Sequence, residues 1–253
     1  MNIFTHLEIE TVGSCNRTCQ TCLRQTYINK NNPTHYGRFP VTSKVGEGMK
    51  MPTATFKKII NQAVDMGFDN TVCLQHFNEP LLDERLAELG RYVKSKPQIK
   101  GALSACSNMD LITEEKAKEL DGLFDHFVVA LYIPKEKQPE REKWLLSLFK
   151  KTELIFTKGV HVITHYSPFT NTAQTVEEQK HKPCTFYNEM LIIAYNGTIL
   201  HCCDDYVGHF GLGNTNTMSL KEIWESRKHR ELVDDLSVAG GRLKHSYCSV
   251  CPR

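Results

Sequence analysis

The 253-residue chain predicts an α/β protein with a parallel sheet and a smaller C-terminal module. Three observations carry this prediction. Short apolar runs rich in β-branched residues alternate with amphipathic helical patterns through most of the chain. The alternation stops near Cys184, where a hairpin pattern takes over. The ten cysteines fall mainly at the two ends. Strand–helix alternation gives parallel strands joined by right-handed crossovers, which either close into a full or partial barrel or open into a doubly wound sheet. Periodicity alone does not separate these outcomes. In each, chemistry belongs at the carboxyl ends of the strands.

In order, Leu7–Val12 reads as the first strand. Thr53–Met66 is helical, with Phe56, Ile59, Ile60, Ala63 and Val64 on one face and Thr53 placed to cap it. Thr71–Phe77 is a strand, Leu82–Val93 a helix and Ala102–Cys106 a strand. Thr113–Leu120 is a helix, Phe127–Tyr132 a strand, Pro139–Phe149 a helix and Val160–Tyr166 a strand. The polar stretch 23–51 reads either as a lid or as a surface excursion. Met190–Tyr195 and Thr198–His201 flank Asn196-Gly197, the strongest short hairpin signal, and a helix is expected from Ser219 to about Leu236. The expected domains are 1–183 and 184–253.

Hydrophobic content of 40%, charged content of 24% and a net charge of +2 are ordinary for a globular protein, and no basic stripe argues for a dedicated nucleic-acid binder. The N-terminus lacks a basic segment followed by an apolar run, and no stretch has the roughly 18 apolar residues needed to span a bilayer. The expectation is a cytoplasmic protein without membrane contact. Thiols stay reduced in that compartment, so clustered cysteines point to metal. Cys73 and Cys106, alone in apolar runs, read as small core residues.

Cys15, Cys19 and Cys22 supply three thiolates within eight residues, straight after a strand. Structural zinc sites and ordinary four-iron clusters close with four protein ligands. Three leave an open position that a small molecule can fill; a zinc site with a histidine as fourth ligand is the alternative. The second group is Cys184, Cys202, Cys203, Cys248 and Cys251, for which a four-cysteine zinc ribbon is the alternative to an iron–sulfur cluster.

The spacing Cys15-x3-Cys19-x2-Cys22 resembles the signature of the radical S-adenosylmethionine (SAM) superfamily. That resemblance implies a partial (β/α)6 TIM-like barrel and a four-iron cluster on which SAM is split into methionine and a deoxyadenosyl radical that abstracts a substrate hydrogen. Gln75 to Pro80 resembles the family's Gly-Gly-Glu-Pro motif, so Glu79 would hold the SAM amino group beside Asn78, which stands where a glycine is usual. Ser107 and Asn108 match the ribose-contacting position, and Thr21 occupies the place of an aromatic residue that packs on adenine. Cys184, then Gly197, Cys202 and Cys248-x-x-Cys251, resembles the shortened SPASM module called a twitch domain. This implies a second four-iron cluster on Cys184, Cys202, Cys248 and Cys251, with Cys203 left over or exchanging with Cys202. Two 4Fe–4S clusters and SAM are thus the implied cofactors, and a reductase, flavodoxin or ferredoxin, the implied electron donor.

Within the family, the Phe77–Leu82 stretch and the C-terminal cysteine spacing are similar to those of the deoxy-scyllo-inosamine dehydrogenases of aminoglycoside biosynthesis. The implied reaction is oxidation of a carbinol in a small sugar-like or nucleotide-like substrate, with the auxiliary cluster as electron acceptor. An arginine often found near the substrate is missing, since the corresponding stretch is Thr170-Asn171-Thr172. His165, Tyr166 and His76, each near a strand end, are therefore the candidate bases. Two other functions stand beside this one. One is radical modification of a peptide side chain, for which the 14 residues before Cys15 leave no leader-binding domain. The other is a non-catalytic metal-stapled or electron-transfer protein.

Overall fold

The computed structural model describes residues 3–17, 49–157, 177, 179–184, 189–205 and 208–251. Among these residues, seven strands form one sheet: β1 (His6–Ile9), β2 (Thr71–Cys73), β3 (Leu103–Ser107), β4 (His126–Val129), β5 (Glu153–Phe156), β6 (Met190–Ile193) and β7 (Ile199–Leu200). Their spatial order is β5-β4-β3-β2-β1-β6-β7, parallel from β5 to β6, with β7 antiparallel at the edge. The helices of the described residues are α1 (Thr53–Asp65), α2 (Leu86–Lys94), α3 (Glu114–Leu120), α4 (Gln138–Leu148), α5 (Leu220–Trp224) and α6 (Arg227–Leu236). The strand–helix alternation thus gives a parallel α/β sheet, as expected.

The sheet's two faces differ sharply. Leu7, Ile9, Val72, Leu103, Ala105, Phe127, Val129, Leu191 and Ile193 are buried in one continuous core with Phe56, Ile59, Ile60 and Ala63 of α1 and with Leu89 and Val93 of α2. This burial stabilises the layer by about 1.5–3 kcal/mol for each large apolar side chain. Residues of opposite parity line the other face, in register across the strands: Ile192, Glu8, Cys73, Ser104, His126 and Glu153. Parallel sheets are normally apolar on both faces. Such a break in patterning marks a surface kept for function rather than packing.

Several element boundaries differ from the sequence reading, for local reasons. Thr53 is the first residue of α1 rather than its cap; Pro52 precedes it, and the Thr53 hydroxyl accepts a hydrogen bond from Arg85 Nη1 at 3.0 Å. The helix expected over Leu82–Val93 starts at Leu86, because Glu79 caps a 3-10 turn at Pro80–Leu82 and the Asp83–Arg85 ion pair (2.8 Å) fills the gap. Strand β5 was missed altogether: it comes straight after α4, whereas the expected strand Val160–Tyr166 lies outside the described residues. The long helix expected from Ser219 breaks at Ser226, whose hydroxyl accepts from His229 N and starts α6, while Ser219 and Glu222 form a reciprocal capping box on α5. Cys73 is buried as expected, but Cys106 is exposed, because its side chain points to the polar face.

The hairpin forms as its Asn-Gly pair predicts, with Gly197 at φ +84° in the left-handed region that glycine tolerates. Its position is different from that of a detached C-terminal module. β6 pairs with β1 along its whole length, His6 to Met190 through Ile9 to Ile193, so the C-terminal part begins as an extension of the parallel sheet. Among the described residues, no helix is long and apolar enough to cross a membrane.

Candidate active site

The chain leaves β1 through Glu10-Thr11-Val12-Gly13-Ser14 and enters the cysteine loop at Cys15. Two contacts aim this exit. Gly13 N donates to Met49 O (2.8 Å) and Met51 N to Thr11 O (2.9 Å), tying the loop's start to the segment just before α1. Gly13 lies against the Tyr195 ring, where a Cβ would come within 2.4 Å of a ring carbon. Gly13→Ala is expected to destabilise the fold by about 1–3 kcal/mol through overpacking, read as a lowered denaturant midpoint; an unchanged midpoint would show that Tyr195 yields freely.

At Cys15 the backbone amide of Arg17 donates to Sγ at 3.5 Å, a contact that favours the thiolate needed by an iron–sulfur cluster. Arg17 itself is clamped. Its Nε and Nη2 grip the Asp110 carboxylate at 2.5 and 2.8 Å, its Nη1 donates to Tyr132 O (3.0 Å), and its guanidinium stacks over the Tyr132 ring. Asn16 bridges Asp110 and Asn108, donating to the first at 3.1 Å and accepting from the second at 2.9 Å. The cysteine loop is thus held to the carboxyl ends of β3 and β4 by Asn16 and Arg17, between the expected ligands. Cys19, Cys22 and Thr21, together with the candidate bases His165 and Tyr166, lie outside the described residues.

Glu79 is a buried acid at this end of the sheet, only 2% exposed. Ser107 Oγ (2.7 Å) and Leu81 N (3.0 Å) donate to Oε1, and Asn108 N (2.9 Å) donates to Oε2. Burial pushes its carboxyl above the ordinary value, outweighing the opposing bonds from Asn108, Ser107 and Leu81. A buried carboxylate with donors on both oxygens, and no cationic side chain bonded to it among the described residues, is prepared to receive one. Next to it, Met109 is the only described non-glycine residue with positive φ (56°); its N donates to Ser107 Oγ at 3.0 Å. Strain of this kind collects at functional sites. Asn78 is buried, and its Oδ1 accepts from His76 N at 3.0 Å, so its side chain braces the turn a glycine would otherwise make. The structure therefore brings Cys15, His76, Asn78, Glu79, Ser107 and Asn108 to one end of the sheet.

A second arrangement lies behind β7. Cys184 N donates to Leu236 O (2.8 Å), and Cys248–Val250 forms a 3-10 turn that brings Cys251 back, its N donating to Cys248 O. Burial and the neighbouring Cys184 and Cys251 push the Cys248 thiol up to about 12. Cys184 and Cys251 thus each sit within electrostatic reach of Cys248. Cys202 stands on an adjacent turn beside Cys203, Asp204 and Asp205, its thiol also pushed up, chiefly by burial. Asp205 clamps that turn, accepting from His201 N (3.0 Å) and His209 N (2.8 Å), and Tyr247 Oη ties it to the Cys248 segment through Asp204 O at 2.5 Å. Among the described residues, no three His, Cys, Asp or Glu side chains converge on a single metal ion. An all-thiol donor set, with Cys248 buried and Cys184, Cys202 and Cys251 half-buried, suits an iron–sulfur cluster, whose binding would remove the protons that burial otherwise retains.

Sequence reasoning missed Asn16, Arg17, Asp110, Glu8 and Glu10. The last could have been noticed, because Glu8 and Glu10 are acids inside a strand pattern, where the alternation leaves them on the face away from the helices. A cleft of about 730 Å³ lined by Ile3, Met66, Trp224 and Arg230 opens at the other end of the molecule, away from these groups.

Residues 184–252 match the SPASM model, described as an iron–sulfur cluster-binding domain. The whole chain is similar to an S-adenosyl-L-methionine-dependent 2-deoxy-scyllo-inosamine dehydrogenase of Niallia circulans, with 21% identity over 98% of this chain and 93% of that one. Among solved structures it resembles BtrN in complex with AdoMet and 2-DOIA, with a TM-score of 0.70, 19% identity, and 98% and 92% of the two chains covered. The open conformation of BtrN gives a TM-score of 0.69 at 18% identity, covering 100% and 94%. Native anSMEcpe with bound AdoMet gives 0.61 at 16% identity, covering 98% and 88%. The chain has the fold of these AdoMet-binding enzymes, with the C-terminal cluster-binding module that its cysteine spacing predicts.

Proposed function

We propose that this chain, built on the radical SAM fold with a C-terminal SPASM domain, is an oxidoreductase that oxidises a carbinol carbon of a small sugar-like or nucleotide-like molecule. The observation that carries the reading is Glu79, a buried carboxylate held by Ser107 and Asn108 on the same end of the sheet as Cys15. With SAM and its clusters bound, the cofactors supply hydrogen-atom abstraction and electron transfer. The protein's share is binding, orientation and proton handling.

In this reading Cys15, Cys19 and Cys22 hold the SAM-binding cluster, and Glu79 accepts the SAM ammonium group. Ser107 and Asn108 keep the Glu79 carboxylate aimed, and Asn108 also links it to the cysteine loop through Asn16. Asn78 shapes the turn, and Thr21 stands at the adenine side. Cys184, Cys202, Cys248 and Cys251 would hold the auxiliary cluster, which would serve as the electron acceptor. The division at 183/184 separates the two binding functions, with β6 joining them through β1. The hydroxyl proton passes to a base drawn from His76, His165 or Tyr166, and a flavodoxin or ferredoxin donates the starting electron in the cytoplasm.

Anaerobic reconstitution with iron and sulfide tests the cofactor assignment. The expected content is about eight irons per chain, two four-iron clusters, in a brown protein. A content near four would remove the auxiliary cluster, and a colourless zinc-loaded protein would overturn the reading.

A further inference from the structure

Glu8 projects from the middle of β1 onto the polar face, in register with Cys73 on one side and Ile192 on the other. Both of its oxygens are taken by imidazoles: His76 Nδ1 at 2.6 Å from Oε2 and His6 Nε2 at 3.1 Å from Oε1. Although burial raises its carboxyl, the hydrogen bonds from His6 and His76, reinforced by positive charge when either ring is protonated, lower it to about 2, so the group is a carboxylate. An ionised carboxylate only accepts, so the His76 nitrogen facing it carries the hydrogen. A neutral His76 is then left with a lone pair on Nε2. That atom is buried and finds no hydrogen-bond partner among the described residues.

An unmet buried polar atom costs about 1–3 kcal/mol, so a nitrogen left over in this way calls for a ligand or a function. His76 is fixed from three directions with one nitrogen left over. Its backbone N donates to Asn78 Oδ1 at 3.0 Å, its ring lies edge-on to Phe77, and Phe77 N is tied to Glu10 Oε1 at 2.9 Å. It stands three residues before Glu79, just beyond the end of β2.

We propose that His76 Nε2 is the base that receives the substrate hydroxyl proton, and that Glu8 is the positioning residue fixing the His76 tautomer. This rests on the carbinol-oxidation reading. The carbinol C–H hydrogen leaves as an atom to the radical derived from SAM, the O–H bond breaks with its proton going to Nε2, and the C=O bond forms. The remaining electron goes to the C-terminal iron–sulfur cluster, so the two-electron oxidation balances. Glu8 stays ionised and stabilises the imidazolium, the division of labour expected of a carboxylate–histidine pair.

The test is made on the oxidised, cluster-loaded protein with 15N-labelled imidazoles, using proton–nitrogen correlation spectra. The His76 cross-peak is identified among the 11 histidines by its loss in His76→Gln. The proposal predicts the Nδ1–H tautomer, and loss of that preference in Glu8→Gln. Should His76→Gln fail to fold, Glu8→Gln, which perturbs both His6 and His76, is paired with His6→Gln so that the remaining altered cross-peak is that of His76. An Nε2–H tautomer, or no histidine signal altered in Glu8→Gln, overturns the proposal. In turnover, His76→Gln should lower kcat by about 10²–10⁴-fold with little change in KM, and Glu8→Gln should lower kcat by a smaller factor; a change in KM alone overturns the assignment of a base. The tautomer is read without turnover, so its failure is distinct from failure of the carbinol reading, which labelled substrates decide.

Discussion

Cys19→Ala abolishes reductive cleavage of SAM, whereas Cys248→Ala spares much of it; this contrast is the largest effect the proposed function predicts. The first group has three cysteines and no spare ligand, so losing one removes the iron site on which SAM binds. The second group acts after the radical forms. Cys248 lies near the C-terminus of the chain, with Cys184 and Cys251 beside it. Its loss should therefore separate SAM cleavage from substrate oxidation. The measurement is deoxyadenosine formed per chain under strong chemical reduction, with and without substrate. Unimpaired cleavage in Cys19→Ala refutes the assignment of the first site, and equal loss in both variants refutes the division of labour.

Glu79→Gln should weaken SAM binding by about 10- to 100-fold, the equivalent of one hydrogen bond to a charged group at about 1.5–3 kcal/mol. The substitution is nearly isosteric, but the donors around it allow no good orientation. If the amide nitrogen replaces Oε2, it opposes Asn108 N–H; if it replaces Oε1, it opposes Leu81 N–H. One backbone donor loses its acceptor either way, and the negative charge is gone.

The sign of the pH dependence follows from burial. In the ligand-free protein the Glu79 carboxyl lies above its ordinary value, so folding favours the protonated form. Its contribution to stability is present below the unfolded pKa and lost as pH rises through the folded one. A bound ammonium group reverses this preference. SAM binding should therefore release a proton, and affinity should fall as pH drops through the Glu79 titration. Calorimetry in two buffers of different ionisation enthalpy checks this, and affinity unaffected by both pH and Glu79→Gln would contradict the role given to Glu79.

The sequence showed the parallel α/β class because helices and strands carry different periods, with α1 amphipathic and β1 and β4 alternating in burial. It failed where local chemistry outweighed period. Asp83–Arg85 pairing and the Glu79 cap delay α2, and Ser226 splits one helical pattern into two. Four residues, Glu153–Phe156, were too short a strand to separate from the end of α4. The hairpin was legible in Asn196-Gly197, but its partner was not, since the pairing of β6 with β1 spans more than 180 residues. The site divides similarly. Cysteine spacing and the Asn78-Glu79-Pro80 word are local and were visible. The Arg17–Asp110 clamp and the Glu8–His76 pair join segments distant in the chain that the sheet brings together, and nothing in their spacing announces them.

Deuterium transfer tests the central claim most directly. A panel of sugars, cyclitols and nucleosides deuterated at carbinol carbons, with labelled peptides alongside, would be incubated with reduced enzyme and SAM, and the deoxyadenosine examined by mass spectrometry. Carbinol oxidation by the SAM-derived radical predicts deuterium in deoxyadenosine from at least one carbinol-labelled compound, with a matching ketone. Deuterium arriving only from a peptide side chain, with every carbinol label retained, would contradict it.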